Sequence, residues 1–84
     1  MTAVQFPVLV EVRLRPGIAD PAGATIQRAL PALGFDGVHD VRVGKAIRFT
    51  VDAPDEQAAR TQVDELCQRL LANPVIEDTQ VSIG

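Results

Sequence analysis

From Pro7 to Arg15 the chain alternates without a fault, with Val8, Val10, Val12 and Leu14 on one side and Leu9, Glu11, Arg13 and Arg15 on the other. A period of two places successive side chains on opposite faces of a strand, so this segment predicts a half-buried strand with one apolar face. That face needs a cover. In a chain of 84 residues the cover comes from one small domain, residues 1–84, or from a partner. A domain this small hides only about 60–65% of its unfolded surface, which makes self-association a natural supplement.

Downstream segments supply candidates. Arg15-Pro16-Gly17-Ile18-Ala19-Asp20-Pro21 breaks the strand: proline fixes φ and lacks a donor, and Gly17 permits φ above zero. Asp20 then serves as an N-cap ahead of Pro21 at the first helical position. Ala22, Ile26, Ala29, Leu30 and Leu33 follow the 3.6-residue period, predicting a helix with one buried face that Gly34 closes in the left-handed conformation. Pro31 removes the bond to the Gln27 carbonyl, so the helix is expected to bend or loosen there.

Residues 38–52 read as strand throughout, with Val41, Val43, Ile47, Phe49 and Val51 on one parity and Arg42, Arg48, Thr50 and Asp52 on the other. Two readings fit Gly44-Lys45 within it: a two-residue hairpin turn, or one long strand bent by a bulge at the glycine. Ala53-Pro54-Asp55-Glu56 predicts a second helix, with proline at its first position and carboxylates at the positive end of its dipole. Its apolar stripe is Ala59, Val63, Leu66 and Leu70, flanked by Cys67 and Leu71, and Asn73-Pro74 ends it. A last strand spans Val75 to Ile83.

The order β-α-β(β)-α-β describes an α/β (α+β) two-layer sandwich of ferredoxin-like type, with two helices packed on one face of a mainly antiparallel sheet. With the middle segment unsplit it becomes a three-stranded variant whose overhanging edge invites pairing between protomers.

The chemistry expected of this chain is sparse. Eleven acidic against eight basic residues give a net charge of −3, and no Trp, no Tyr and three Phe leave few platforms for stacking bases, so no nucleic-acid partner is expected. Apolar runs fall far short of the ~20 residues that span a bilayer, and no secretory leader is apparent, so a cytoplasmic location and no membrane partner are expected. A single cysteine, Cys67, excludes an intrachain disulfide and a cysteine metal cluster. Cys67 lies on the buried stripe, His39 follows a loop, and neither has a catalytic partner nearby in sequence. The glycines lack phosphate-loop spacing. Arg13, Arg15, Arg42, Lys45 and Arg48 share their region with Glu11 and Asp52, the pattern of a solvated or interface face. Asp55-Glu56 reads as a helix-start device rather than a metal site. No catalytic, metal or cofactor residue is therefore assigned.

Four ordered blocks carry a resemblance. Leu14-Arg15-Pro16-Gly17-Ile18-Ala19-Asp20-Pro21-x-Gly23, Ala29-Leu30-x-x-Leu33-Gly34-Phe35, Val38-x-x-Val41-Arg42-x-Gly44-Lys45 and Leu70-Leu71-Ala72-Asn73-Pro74-Val75-Ile76-Glu77-Asp78 resemble the PurS family, the small subunit of phosphoribosylformylglycinamidine (FGAM) synthase. Pro31 and Thr79 depart from it, standing where relatives usually carry a helix former and an aromatic residue. The resemblance implies a noncatalytic accessory subunit of purine biosynthesis. It implies a homodimer or higher oligomer that bridges a PurQ-like glutaminase and a PurL-like synthetase and assists ammonia transfer between them, with ATP and magnesium used by the synthetase and no cofactor on this chain.

On that reading Arg15, Lys45, Glu77 and Asp78 are the interface candidates, because nothing local in the sequence requires their charge. Pro16, Gly17, Asp20, Pro21, Gly34, Gly44, Asn73 and Pro74 shape the turns. The competing readings are an ACT-like module that senses a small metabolite at a dimer interface, and an acylphosphatase-type enzyme, for which no glycine-arginine phosphate loop is visible.

Overall fold

The longest alternating run becomes the middle of the sheet. In the computed structural model, which describes residues 3–84, β1 (Val4–Leu14) lies between β2 (Lys45–Ala53) and β3 (Glu77–Ile83), antiparallel to both. Val8 stands opposite Phe49 and Ile83, and Val10 opposite Ile47 and Val81, so all six side chains share one face. Pro7 is tolerated within this central strand because the ladder to β3 ends at the Val8–Ile83 pair. Only its carbonyl is used on that side, accepting from the Gly84 N–H at 3.1 Å.

The second helix covers the apolar face. Asp55, in extended conformation, accepts from the Ala58 N–H at 2.7 Å, so it is the cap and α2 runs Glu56–Leu66. Pro54 therefore stands one residue before the cap, not at the first helical position. Ala59, Val63 and Cys67 join Val8, Val10, Val12, Val51 and Ala53 in the core. The buried stripe differs from the expected one: Leu66 and Leu70 point outward, Leu70 at 75% exposure. Residues 59, 63, 67 and 71 recur every four positions, slightly slower than the α-helix turns. The helix accommodates this by widening into a π-turn, Cys67–Leu71, in which the Ala72 N–H donates to the Cys67 carbonyl at 3.1 Å. Cys67 and Leu71 thereby stay on the sheet side. The last strand starts later than expected, at Glu77 rather than Val75. Asn73 captures the amides of Val75, Ile76 and Glu77 in a turn and leaves Val75 78% exposed.

The first helix behaves differently. α1 (Pro21–Ala29) loosens at Pro31 into a short 3₁₀ turn, Pro31–Leu33, and stops at Gly34 with φ +89°, as Pro31 and Gly34 lead one to expect. Its apolar face is not buried, contrary to the expectation from its periodicity. Within α1 only Gly23 is buried, while Ile26 is 47% and Leu33 69% exposed.

Residues 38–44 are not strand either. The Val41 and Val43 amides donate to the side chains of Gln27 and Asp20, and Asp40 adopts a left-handed φ of +57°. Among the described residues the sheet has three strands, the unsplit form of the ferredoxin-like two-layer order, and β2 begins at Lys45 immediately after Gly44. The molecule is long, 59 × 25 × 14 Å, with a radius of gyration of 17.0 Å where a compact chain of this length has about 12 Å.

Candidate interaction surfaces

Two polar clusters organise the surface where the α1 region leaves the sheet. At the first, the chain exits β1 through Arg15, Pro16 and Gly17, whose φ of +86° only glycine adopts without strain. The Ile18 N–H closes this turn on the Arg15 carbonyl at 3.2 Å. The Arg15 guanidinium donates to the Pro74 carbonyl at 2.7 Å and lies 3.4 Å from the Asp78 carboxylate, and the Arg15 N–H donates to the Ile76 carbonyl at 2.8 Å. The Glu77 carboxylate accepts from the Asn73 N–H at 2.7 Å. The exit of β1 and the entry to β3 are thus tied together by Arg15, Asn73, Pro74, Glu77 and Asp78. The ion pair itself is exposed, at 48% and 60% for its two side chains, and adds little beyond geometry.

The second cluster holds the α1 region in place. Asp20 caps α1 by accepting from the Gly23 N–H at 2.9 Å, while its other oxygen accepts from the Val43 N–H at 2.9 Å. These two donors, with the Arg42 guanidinium adding to them, hold the Asp20 carboxyl below its usual range. Gln27 repeats the device two turns on. Its amide donates to the Val38 carbonyl at 2.7 Å and accepts from the Val41 N–H at 3.1 Å, replacing a neighbouring strand with one side chain. Gly23 allows this approach, since a Cβ there would lie 2.6 Å from the Val41 carbonyl oxygen. Gly44 does the same against β1, where a Cβ would meet the Val12 carbonyl at 2.7 Å.

Of the sequence candidates, Asp20, Pro21, Gly44, Lys45 and Glu77 converge on one hollow of about 300 Å³, whereas Gly34 lies apart at the close of the 3₁₀ turn. Arg15, Glu77 and Asp78 do have local partners, which their sequence context did not reveal. The side chain of Lys45, which stands opposite Val12, has no hydrogen bond or ion pair among the described residues. His39 is exposed. Cys67 is buried, and that burial pushes its thiol up. Sequence reasoning missed Gln27, because a side chain standing in for a strand leaves no periodic signal. Among the described residues no group of three or more His, Cys, Asp or Glu is placed to hold a metal, and no helix is long and apolar enough to cross a membrane.

Residues 7–84 match the family model PurS, described as phosphoribosylformylglycinamidine (FGAM) synthase. This chain belongs to the PurS family. The synthase subunit PurS of Synechocystis sp. is 52% identical over 69 residues, covering 82% of this chain and 69% of the relative. That of Methanothermobacter thermautotrophicus is 45% identical over 81 residues, covering 96% and 95%. In the structure of PurLQS from Thermotoga maritima, one chain superposes with a TM-score of 0.88 at 33% identity, covering 96% of this chain and 99% of that one. The polar clusters above fall inside the region matched to PurS.

Proposed function

We propose that this PurS-family chain is the noncatalytic connecting subunit of an FGAM synthase. It joins a PurL-like synthetase to a PurQ-like glutaminase and helps ammonia pass between them during the ATP- and glutamine-dependent conversion of FGAR to FGAM. The observation that carries this reading is the match, over 99% of its length, to a chain of the T. maritima PurLQS structure.

The chemistry of the step explains why such a chain is useful. Ammonia released into water at neutral pH is mostly protonated and lost as a nucleophile, so the two active sites must be held in a fixed, water-excluding alignment. A small rigid connector with polar clusters at its turns suffices for this and needs no acid, base or nucleophile of its own. On this reading ATP and magnesium belong to the synthetase, no cofactor is held here, the chain works as a homodimer or higher oligomer, and the complex is cytoplasmic.

The test is reconstitution. Purified chain is mixed with its candidate synthetase and glutaminase, and glutamine-dependent FGAM formation is measured with and without it. Formation that requires this chain supports the connector. Activity and co-sedimentation that stay unchanged when it is omitted refute it.

A further inference from the structure

The chain has seven aspartates and one asparagine, each with a side-chain carbonyl carbon that the main-chain nitrogen of the next residue can attack to close a five-membered imide. The attack needs a free N–H on that next residue, a following side chain small enough not to crowd it, and backbone that no ladder or helix holds still. The structure withholds at least one of these from every such residue except Asp36.

Asp20 and Asn73 precede prolines, which have no N–H. Both side chains are also engaged, Asp20 accepting from the Gly23 and Val43 amides and Asn73 from the Val75 amide. Asp52 and Asp78 lie inside β2 and β3, and Asp64 inside α2, where the ladder or the helix fixes the backbone. Asp55 caps α2 through the Ala58 N–H at 2.7 Å. Asp40 comes nearest, but the Val41 N–H that follows it donates to Gln27 at 3.1 Å, and the β-branched Val41 crowds the approach.

Asp36 stands apart. Residues 35–40 belong to no helix or strand, and all of them are exposed. Neither the Asp36 carboxylate nor the Gly37 N–H has a hydrogen bond among the described residues. A Cβ built at Gly37 meets nothing within 4 Å, so no neighbour pins this peptide, and glycine leaves its dihedrals free to reach the attacking geometry.

From these observations we infer that Asp36-Gly37 is a self-modification site, at which the aspartate isomerises to isoaspartate. The Gly37 nitrogen bonds to the Cγ of Asp36 and gives up its proton, and the bond from Cγ to its hydroxyl oxygen breaks to release water, leaving the imide. Water then adds at the main-chain carbonyl carbon of Asp36, whose bond to the nitrogen breaks. The chain now runs through Cγ, and the former main-chain carbonyl is a free carboxylate. The water lost is regained, so composition is unchanged and no oxidant or reductant takes part. The main chain gains one methylene two residues ahead of Val38, whose carbonyl accepts from Gln27 at 2.7 Å. The new carboxylate is the group that an isoaspartyl carboxyl methyltransferase esterifies with the methyl of a sulfonium donor. The inference goes beyond the connector reading and does not depend on it.

The experiment ages the full chain for weeks in mildly acidic buffer. Isoaspartate is then measured with an isoaspartyl methyltransferase and radiolabelled S-adenosylmethionine, and located by electron-transfer fragmentation. Wild type is expected to accumulate label, with isoaspartate confined to residue 36. Gly37→Pro, which removes the attacking N–H, and Asp36→Glu, which keeps the charge but must close a larger ring, are each expected to lose the label. Absence of label in wild type, isoaspartate at any other position, or label that persists in either variant overturns the inference. Should Gly37→Pro fail to fold by circular dichroism, Asp36→Glu decides. Failure of the connector reading is seen separately, from FGAM formation by freshly prepared chain in the reconstituted mixture.

Discussion

Gly23→Ala sets two effects of known size against each other. Helix propensity alone favours the substitution, because alanine in a helix interior is about 1 kcal/mol better than glycine. The structure opposes it. The new methyl would sit 2.6 Å from the Val41 carbonyl oxygen and 2.7 Å from an Asp20 carboxylate oxygen, closer than real Cβ contacts come. Val41 is backbone and is bonded through its N–H to Gln27 at 3.1 Å, so the strain cannot be relieved by turning one side chain. Overpacking of this kind costs about 1–3 kcal/mol, and displacing the Val41–Gln27 bond about another 1 kcal/mol. The net expectation is a loss of about 1–3 kcal/mol, or roughly 5–20 °C in Tm for a domain this small. Thermal and urea unfolding at one fixed protein concentration measure it, because any self-association makes Tm concentration-dependent. Asp20→Ala should then destabilise the Gly23→Ala background less than it destabilises wild type, since the same contact is already displaced. A Gly23→Ala chain as stable as wild type, or more stable, would refute the close approach of residues 41–43 to α1.

Three further outcomes are expected. Val63→Ala, at a fully buried position of α2, should lower stability by about 2–3 kcal/mol in urea unfolding, from two lost methyl groups plus the residual cavity. The Asp20 carboxyl is held below its ordinary value of 3.8, so its contribution is complete above that pH and is lost as pH falls through the lower folded value. Circular dichroism of Asp20→Asn should accordingly show a shallower loss of stability with acid below about pH 4. The Cys67 thiol, 5% exposed and pushed up by burial, should react with a disulfide reagent only at the rate at which the fold opens, and at once in denaturant.

The parts of the fold legible in the sequence are those decided by local rules. The alternation of Val8, Val10 and Val12 identified the central strand, Asp20-Pro21 marked the start of α1, and Pro31 with Gly34 marked its end. Two of the misreadings share one cause, which is that periodicity reports that a face is apolar but not what covers it. Ile26 and Leu33 have the spacing of a buried stripe and lie open in the single chain. Val41 and Val43 have strand parity, yet their amides go to Gln27 and Asp20 rather than to β1. The π-turn that brings Cys67 and Leu71 to the sheet is invisible to a fixed 3.6-residue count. At the candidate surfaces, Arg15 and Asp78 stood out for their charge, but their pairing required the exit of β1 and the entry to β3 to meet.

The elongated outline has a practical corollary for anyone weighing this protein. Its radius of gyration of 17.0 Å is that of a compact chain of roughly 220 residues by the usual size scaling. A single copy would therefore migrate through a sizing column like a globular protein more than twice its mass, and an elution volume read against globular standards would count one chain as two or more. Light scattering or native mass spectrometry, which report mass without assuming a sphere, give the stoichiometry directly.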